Sequence, residues 1–285
     1  MIEYKKTYKD GHYNYQYMMQ DFESMTEIAM YLENIKDLSK YELTQDSLLS
    51  EEREFYGVSS YKDMHDRLKY GDSKVTSIYL DKLKSITDES EIYNEIKMDV
   101  EGYAYDMGAV VSGEPECCLN SGYPSVKPHL NIYIDTGYNG SVSPSTIANR
   151  GIAVYQLISN LLSQGYLLDI WIIHYIETSS GEYCCQRVKL STEYLTVSQL
   201  AFGGTCEFFR VITWLLTAIQ VKRHSYTGSG QSMPKSCVID ELQKTGLYIP
   251  SGYTDSRFNC CDLKQAQEYV IDIYNEYVGG KNESY

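Results

Sequence analysis

The sequence has no apolar run approaching the roughly 20 residues that a membrane-spanning helix needs. Its first residues, MIEYKKTYKDGHYNYQ, also lack the hydrophobic segment of a secretory signal. These two absences predict a protein that is made and kept in a cytoplasm.

Positive charge is scarce: 25 Lys and Arg residues stand against 39 Asp and Glu residues, which gives a net charge of −14. The imbalance lies mainly in residues 1–127, with 25 acidic and 14 basic residues, against 14 and 11 in residues 128–285. A surface that neutralises phosphates needs an excess of basic side chains, so we expect no direct binding to nucleic acid. An acidic face could meet a basic partner, but simple solvation of a polar surface explains the charge as well.

The common motifs of nucleotide and metal sites are also missing. There is no Gly-x-Gly-x-x-Gly, no phosphate-binding loop and no His-x-x-x-His pair. Zinc sites usually space their ligands two to four residues apart, whereas six of the eight cysteines are adjacent pairs. We therefore predict reduced cysteines in the core and no zinc. His174 lies in an apolar run and is predicted to be a hydrogen-bonded core residue.

The most informative stretch runs from residue 128 to residue 165. Apolar side chains alternate over residues 130–134, which is the period of a strand, and the run stops at Asp135. After a polar loop, Ser143 and Pro144 provide the cap and first residue of a helix, and Gly165 follows its end. The stretch predicts a strand, a loop that opens on an aspartate, and a long helix.

The remaining elements place this unit in an α/β fold. Residues 166–177 predict a buried parallel strand, and residues 183–190 predict an antiparallel return at an edge of the sheet. Gly203-Gly204-Thr205 precedes an apolar helix, residues 247–256 predict a strand and a polar turn, and residues 261–278 predict a closing helix. We predict a three-layer Rossmann-like domain over residues 128–285.

The other half of the chain, residues 1–127, is predicted to be an acidic and mainly helical region. Residues 1–20 are polar and rich in tyrosine, and they predict a tail or an arm. Two charged helices are predicted over about 74–86 and 89–98. The carboxylates Glu114 and Glu116 lie in a Pro-containing segment and are interpreted as part of a solvated loop.

The order of elements in residues 128–278 resembles the von Willebrand factor A family, whose Rossmann-like fold binds partners, often through a metal at the carboxyl edge of the sheet. That family carries Asp-x-Ser-x-Ser in a first loop, Thr in a second and Asp in a third. Asp135 corresponds to the first aspartate, but Gly137 and Asn139 stand where serines are expected. Thr205 fits the second loop and Asp255 the third.

The resemblance implies a site that Mg²⁺ could occupy, with oxygens from Asp135, Asn139, Ser141, Thr205 and Asp255. Because Gly137 has no side chain, the shell is incomplete, and we expect an ion to be absent or weakly held. In the alternative interpretation, Asp135 caps a turn and Thr205 caps the helix that follows it.

The function that these observations favour is a non-enzymatic module that binds a protein partner through the loops at the carboxyl edge of the sheet. The segment 113–117, Gly-Glu-Pro-Glu-Cys, resembles one in uncharacterised phage proteins, which implies a phage-encoded protein acting in the host cytoplasm. Two alternatives stay open: a structural component of a virion, and a metal-dependent enzyme whose site is not recognised. The sequence makes no prediction of the oligomeric state.

Overall fold

The computed structural model describes residues 1–72, 129–190, 197–224 and 233–282, residues 74, 76 and 77, and three short strands between residues 96 and 121. Nine strands are described. They are β1 (Ile2–Asp10), β2 (Tyr13–Phe22), β3 (Ile96–Asp99), β4 (Ala104–Tyr105), β5 (Cys118–Ser121), β6 (Leu130–Asp135), β7 (Leu168–Glu177), β8 (Tyr183–Leu190) and β9 (Leu247–Ile249).

The described α-helices are α1 (Met25–Glu33), α2 (Asp46–Glu51), α3 (Arg53–Tyr56), α4 (Tyr61–Tyr70), α5 (Pro144–Ser163), α6 (Val197–Gly203), α7 (Trp214–Gln220), α8 (Ser236–Thr245) and α9 (Leu263–Asn282). A π-helix, Phe208–Thr213, leads directly into α7, and 3₁₀ turns occur at Leu38–Lys40, Glu42–Thr44 and Ser256–Asn259.

The main sheet has six strands in the order β1-β2-β8-β7-β6-β9. Strands β6, β7 and β9 are parallel, β8 is antiparallel to β7, and β2 is parallel to β8. Strand β6 therefore lies inside the sheet, with β7 and β9 on its two sides. The chain has an α/β fold with a mixed sheet.

Helices cover both faces of this sheet. Alternate residues of β9 belong to two separate clusters of buried side chains: Leu247 and Ile249 to one, Tyr248 to the other. The first cluster includes side chains from α1, α4, α5, α7 and α9, and the second includes Val238 and Leu242 of α8. Because side chains alternate across a strand, the two clusters mark the two faces, and the arrangement has three layers.

The local signals around β6 are confirmed. The Ser143 side chain accepts a hydrogen bond from the Thr146 N–H at 3.2 Å, and Pro144 is the first residue of α5. Gly165, just beyond the helix, has φ +84°, a value that favours glycine. The β6–α5–β7 unit thus has the predicted form.

Two predictions at the start of the sheet are wrong. Residues 2–22 are not a tail: they form the hairpin β1–β2, in which Tyr8 and Tyr17 are buried. Strand β8 is not at an edge, because β2 pairs with it. The N-terminal region therefore contributes helices, as predicted, but also two strands of the main sheet.

Several other predictions fall wholly or partly on residues that are not described. The boundary predicted after residue 127 and the segment 113–117 lie outside the described residues, and so does most of the helix predicted over residues 74–86. Within the range 89–98, residues 96–98 belong to β3 rather than to a helix. Strand β3 pairs with β5, and β5 with β4, in a second, antiparallel sheet.

Candidate functional site

Three loops meet at the carboxyl ends of β6 and β9, and we call them together the loop edge: residues 135–143, 203–205 and 250–257. The Tyr253 N–H donates to the Gly137 carbonyl at 3.2 Å, which joins the first loop to the third. Thr136, Tyr138 and Thr205 line one small cavity, which joins the first loop to the second. These two contacts bring the three loops together at one edge of the sheet.

Asp135 lies at the centre of the loop edge and is fully buried. Its Oδ1 accepts a hydrogen bond from the Gly137 N–H at 3.0 Å. Its Oδ2 accepts from the Tyr248 hydroxyl at 2.8 Å and from the Thr254 hydroxyl at 3.2 Å. Burial raises the pKa of this carboxyl, and the three donors partly offset the rise. Both carboxylate oxygens are thus engaged by groups of the protein itself.

Arg150 supplies positive charge beside this carboxylate. It is 3% exposed, and its guanidinium donates to the carbonyls of Ile249 at 3.1 Å and Pro250 at 2.7 Å, at the end of β9. The guanidinium carbon lies 5.3 Å from the centre of the Phe258 ring and 5.8 Å from that of Tyr138. The charge of Arg150 acts to lower the pKa of Asp135 against the effect of burial. This arginine is a buried cation of the loop edge.

The hydrogen bonds and the charge around Asp135 do not fit a magnesium site. Mg²⁺ needs oxygen ligands in octahedral geometry and keeps several waters, whereas both oxygens of Asp135 already accept hydrogen bonds. The fixed charge of Arg150 would also repel a divalent cation. Across the described ranges, no group of three or more His, Cys, Asp and Glu side chains is placed to hold a metal ion.

Thr205 serves the local backbone. Its hydroxyl donates to the Phe202 carbonyl at 2.7 Å and accepts from the Phe208 N–H at 3.3 Å, so it caps the turn before the π-helix. Its neighbour Gly203 is required by packing, because a Cβ there would lie 2.1 Å from Cδ1 of Ile172. The Gly-Gly-Thr turn therefore has a structural explanation, which is the alternative that the sequence left open.

Asp255 is partly exposed and serves the turn that follows it. Its carboxylate caps the turn Ser256–Asn259 by accepting from the Arg257 N–H at 3.0 Å, and it pairs with the Arg257 guanidinium at 2.6 Å. Burial acts to raise the pKa of Asp255, but the hydrogen bonds from Arg257 outweigh it, and the pKa is lowered. Asp255 is therefore an ionised carboxylate with its own cation.

Asn139 and Ser141 form the exposed tip of the first loop. The Asn139 side-chain oxygen accepts from both the backbone N–H and the hydroxyl of Ser141, each at 3.1 Å. Such a local turn fixes the backbone without using any group outside the loop. Of the five residues that the sequence proposes for binding, these two are the exposed ones, and the binding role of all five stays a prediction.

The sequence did not identify Arg210, whose guanidinium holds the loop of residues 135–143 in place. It is 1% exposed, lies in the π-helix, and donates to the carbonyls of Val142 at 2.6 Å, Phe55 at 2.7 Å and Gly140 at 3.2 Å. Its guanidinium carbon lies 4.1 Å from the centre of the Phe55 ring. Arg210 thereby joins the loop tip to α3 of the N-terminal region.

A signal for both arginines was available. Arg150 is the only charged residue of the 20-residue helix α5, and Arg210 interrupts the apolar run from Phe208 to Ile219. A single arginine among apolar residues is rarely buried unless it is paired, so it indicates a partner inside the fold. The sequence does not say that the partners are loop carbonyls.

The nucleophilic side chains in the described residues are mostly inaccessible. Six described cysteines are free of disulfides, and four of them are buried. Burial raises the pKa of Cys184 to about 12 and also raises that of Cys206, so these thiols stay protonated. His174 is in the core, as predicted, but neither of its ring nitrogens has a hydrogen-bond partner, and burial lowers its pKa to about 3.

One open cleft borders the loop edge. It has a volume of about 380 Å³ and lies between α8, α9 and the loop after β9. Polar and charged side chains form much of its wall: Gln243, Thr254, Asp255, Ser256, Arg257 and Glu276. The accessible part of the loop edge includes this cleft and the tip at residues 139–141, and both carry polar groups.

In the part of the chain that the structure describes, no helix is long and apolar enough to cross a membrane. A family model described as "Domain of unknown function (DUF7192)" matches residues 4–274, a range that includes most of β1 and the whole loop edge. No curated protein and no solved structure matches the chain.

Proposed function

The chain belongs to the DUF7192 family, and from the geometry of its loop edge we propose that it is a non-enzymatic module that binds a protein partner through that edge. The observation that carries the proposal is the tip at residues 139–141, which is exposed and polar yet held in one conformation. The Asn139–Ser141 turn fixes it from within, and Arg210 fixes the carbonyl of Gly140 from below. A surface that is already ordered loses little conformational entropy on binding.

The von Willebrand factor A-like interpretation is part of this proposal. It is supported by the order of elements: a strand ending in Asp135, a helix, a parallel strand, an antiparallel strand, a Gly-Gly-Thr turn and a further parallel strand. Both oxygens of Asp135 accept hydrogen bonds from groups of the protein, and Arg150 supplies a buried positive charge beside them. In the proposal the partner is recognised by hydrogen bonds and charge, without a metal bridge.

The exposed groups indicate the chemistry of the partner. The tip offers the polar groups of Asn139 and Ser141, and the cleft offers Arg257 and Glu276 at its wall. Mixed charge on a rigid surface favours a folded protein with complementary polar groups over an extended chain of one charge. A phage origin, with action in the host cytoplasm, also belongs to the proposal and would place the partner in the infected cell.

Affinity purification with the full chain as bait tests the proposal, with Ser141→Arg as the binding variant. The long side chain at the exposed tip should reduce the captured amount of a specific partner about tenfold while leaving the melting temperature unchanged. Ser39→Arg is the matched control, because Ser39 is exposed and does not belong to the loop edge. Its segment contacts the chain beyond the other end of α7, where the Glu42 N–H donates to the carbonyl of His224.

Equal capture by both variants and the wild type would overturn binding through the loop edge. Recovery of the wild type mainly with assembled particles would favour the virion component instead. A reaction of the captured partner that depends on Mg²⁺ would favour the enzyme.

A further inference from the structure

Strand β1 is a long free edge of the main sheet, at the opposite end from β9. It has nine residues, and no described strand pairs with its outer side. No backbone hydrogen bond between described residues reaches that side either. Edge strands of natural proteins are usually short or covered, because free N–H and C=O groups invite another strand.

The hairpin fixes which residues present these groups. The turn has two residues, Gly11 and His12, and Gly11 has φ +56°, as a two-residue turn with glycine first requires. The closing pair of such a hairpin, Asp10 with Tyr13, exchanges hydrogen bonds. The backbone N–H and C=O groups of the even-numbered residues of β1 therefore bond to β2. Those of the odd-numbered residues point away from β2, at the edge of the sheet. The outward residues are Glu3, Lys5, Thr7 and Lys9, and all four are exposed.

We propose that β1 is a self-association edge: two copies of this chain pair antiparallel through β1, about a two-fold axis at Lys6. In this register each outward residue meets an outward residue of the second copy. Glu3 faces Lys9, Lys5 faces Thr7, and the same pairs recur beyond the axis. The four pairs form two backbone hydrogen bonds each, and together they give a partner to every outward N–H and C=O group of residues 3–9.

Charge complementarity singles out this occupant and this register. The Glu3–Lys9 pair occurs twice and joins opposite charges on one face of the sheet. Moving the axis to Thr7 would place Lys5 opposite Lys9, which joins like charges. On the other face, Tyr4 lies directly opposite Tyr8 of the second copy. The basic residue at the axis, Lys6, is already neutralised by Glu241 at 2.5 Å.

The proposal is independent of the loop edge, because β1 and β9 are the two outermost strands of the sheet. Pairing two copies gives a continuous twelve-stranded sheet, six strands from each copy. Both loop edges stay accessible, and a partner with repeated sites would meet two of them.

Sedimentation velocity of the full chain, from micromolar to near-millimolar concentration, measures the association. The wild type should shift from monomer to dimer. Glu3→Lys should weaken the dimer at least about tenfold, because it creates two Lys–Lys pairs. Lys9→Glu should do the same, and the double variant Glu3→Lys/Lys9→Glu should restore the wild-type dissociation constant, because the pairs form again with their charges exchanged.

Two further variants separate pairing from charge and from folding. Thr7→Pro removes an outward N–H and should abolish the dimer while the circular dichroism spectrum stays native. Lys36→Glu makes the same charge change as Lys9→Glu at an exposed site in the loop after α1 and should leave the dimer unchanged. A monomeric wild type at all concentrations would overturn the proposal, and so would a dimer that the double variant fails to restore.

Discussion

At the loop edge, Arg150 and Arg210 are buried and donate to the carbonyls of the surrounding loops. Along β1 the lysines Lys5 and Lys9 are exposed, and the outward backbone groups have no backbone partner among the described residues. Desolvation makes a buried guanidinium costly unless its donors are used, so the first pair of cations must hold structure. The second pair costs little to keep in water and can serve recognition. The same kind of charge therefore has opposite roles in the two regions.

The largest effect should come from removing a buried cation. Arg210→Met leaves the carbonyls of Phe55, Gly140 and Val142 without their donor, and it should lower the free energy of unfolding by about 3 kcal/mol. Lys5→Met at the exposed edge should change it by less than about 0.5 kcal/mol. Urea denaturation of the two variants measures both values, and equal losses would remove the contrast between the regions.

The sequence predicted the loop edge better than it predicted the free edge. The strand–helix–strand unit around β6 carries a strong apolar period, and its helix has clear end signals, so these elements follow from local chemistry. On the half-buried face of β1, Lys6 lies between Tyr4 and Tyr8. This charged residue obscures the alternation of apolar and polar side chains that would predict a strand. The pair Gly11-His12, with glycine first, fits a two-residue hairpin turn and was the overlooked signal.

The functional detail could not be predicted because it depends on contacts between distant residues. Asp135 was identified correctly as the end of β6, but its acceptance of a hydrogen bond from Tyr248 depends on how β9 lies beside β6. The partners of Arg210 come from α3 and from the loop after β6, which lie far apart in the chain. Local patterns do not record such pairings, so the sequence could not show that donors of the protein itself bind both oxygens of Asp135.

A moderate effect should appear in the pH dependence of stability. The pKa of His174 is lowered to about 3 by burial, against about 6.5 in an unfolded chain. Between these values the unfolded chain binds more protons, so this residue reduces stability as the pH falls from about 6.5 towards about 3. His174→Leu should lessen that loss, as followed by urea denaturation at several pH values.

The matched control is His12→Leu in the β1–β2 turn, where the imidazole is exposed. This variant should lose as much stability as the wild type does when the pH falls. If both variants respond to pH in the same way, burial of His174 is not the cause. The pair of variants thus extends the comparison of buried and exposed side chains to histidine.

The smallest effect is expected from divalent ions, and it bears most directly on the account that internal donors and Arg150 occupy the place of a metal beside Asp135. Thermal unfolding of the wild type and of Asp135→Asn should be recorded with and without millimolar Mg²⁺. The account predicts that Mg²⁺ shifts the melting temperature of both proteins by less than about 1 °C. A clear rise in the wild type that Asp135→Asn abolishes would contradict it.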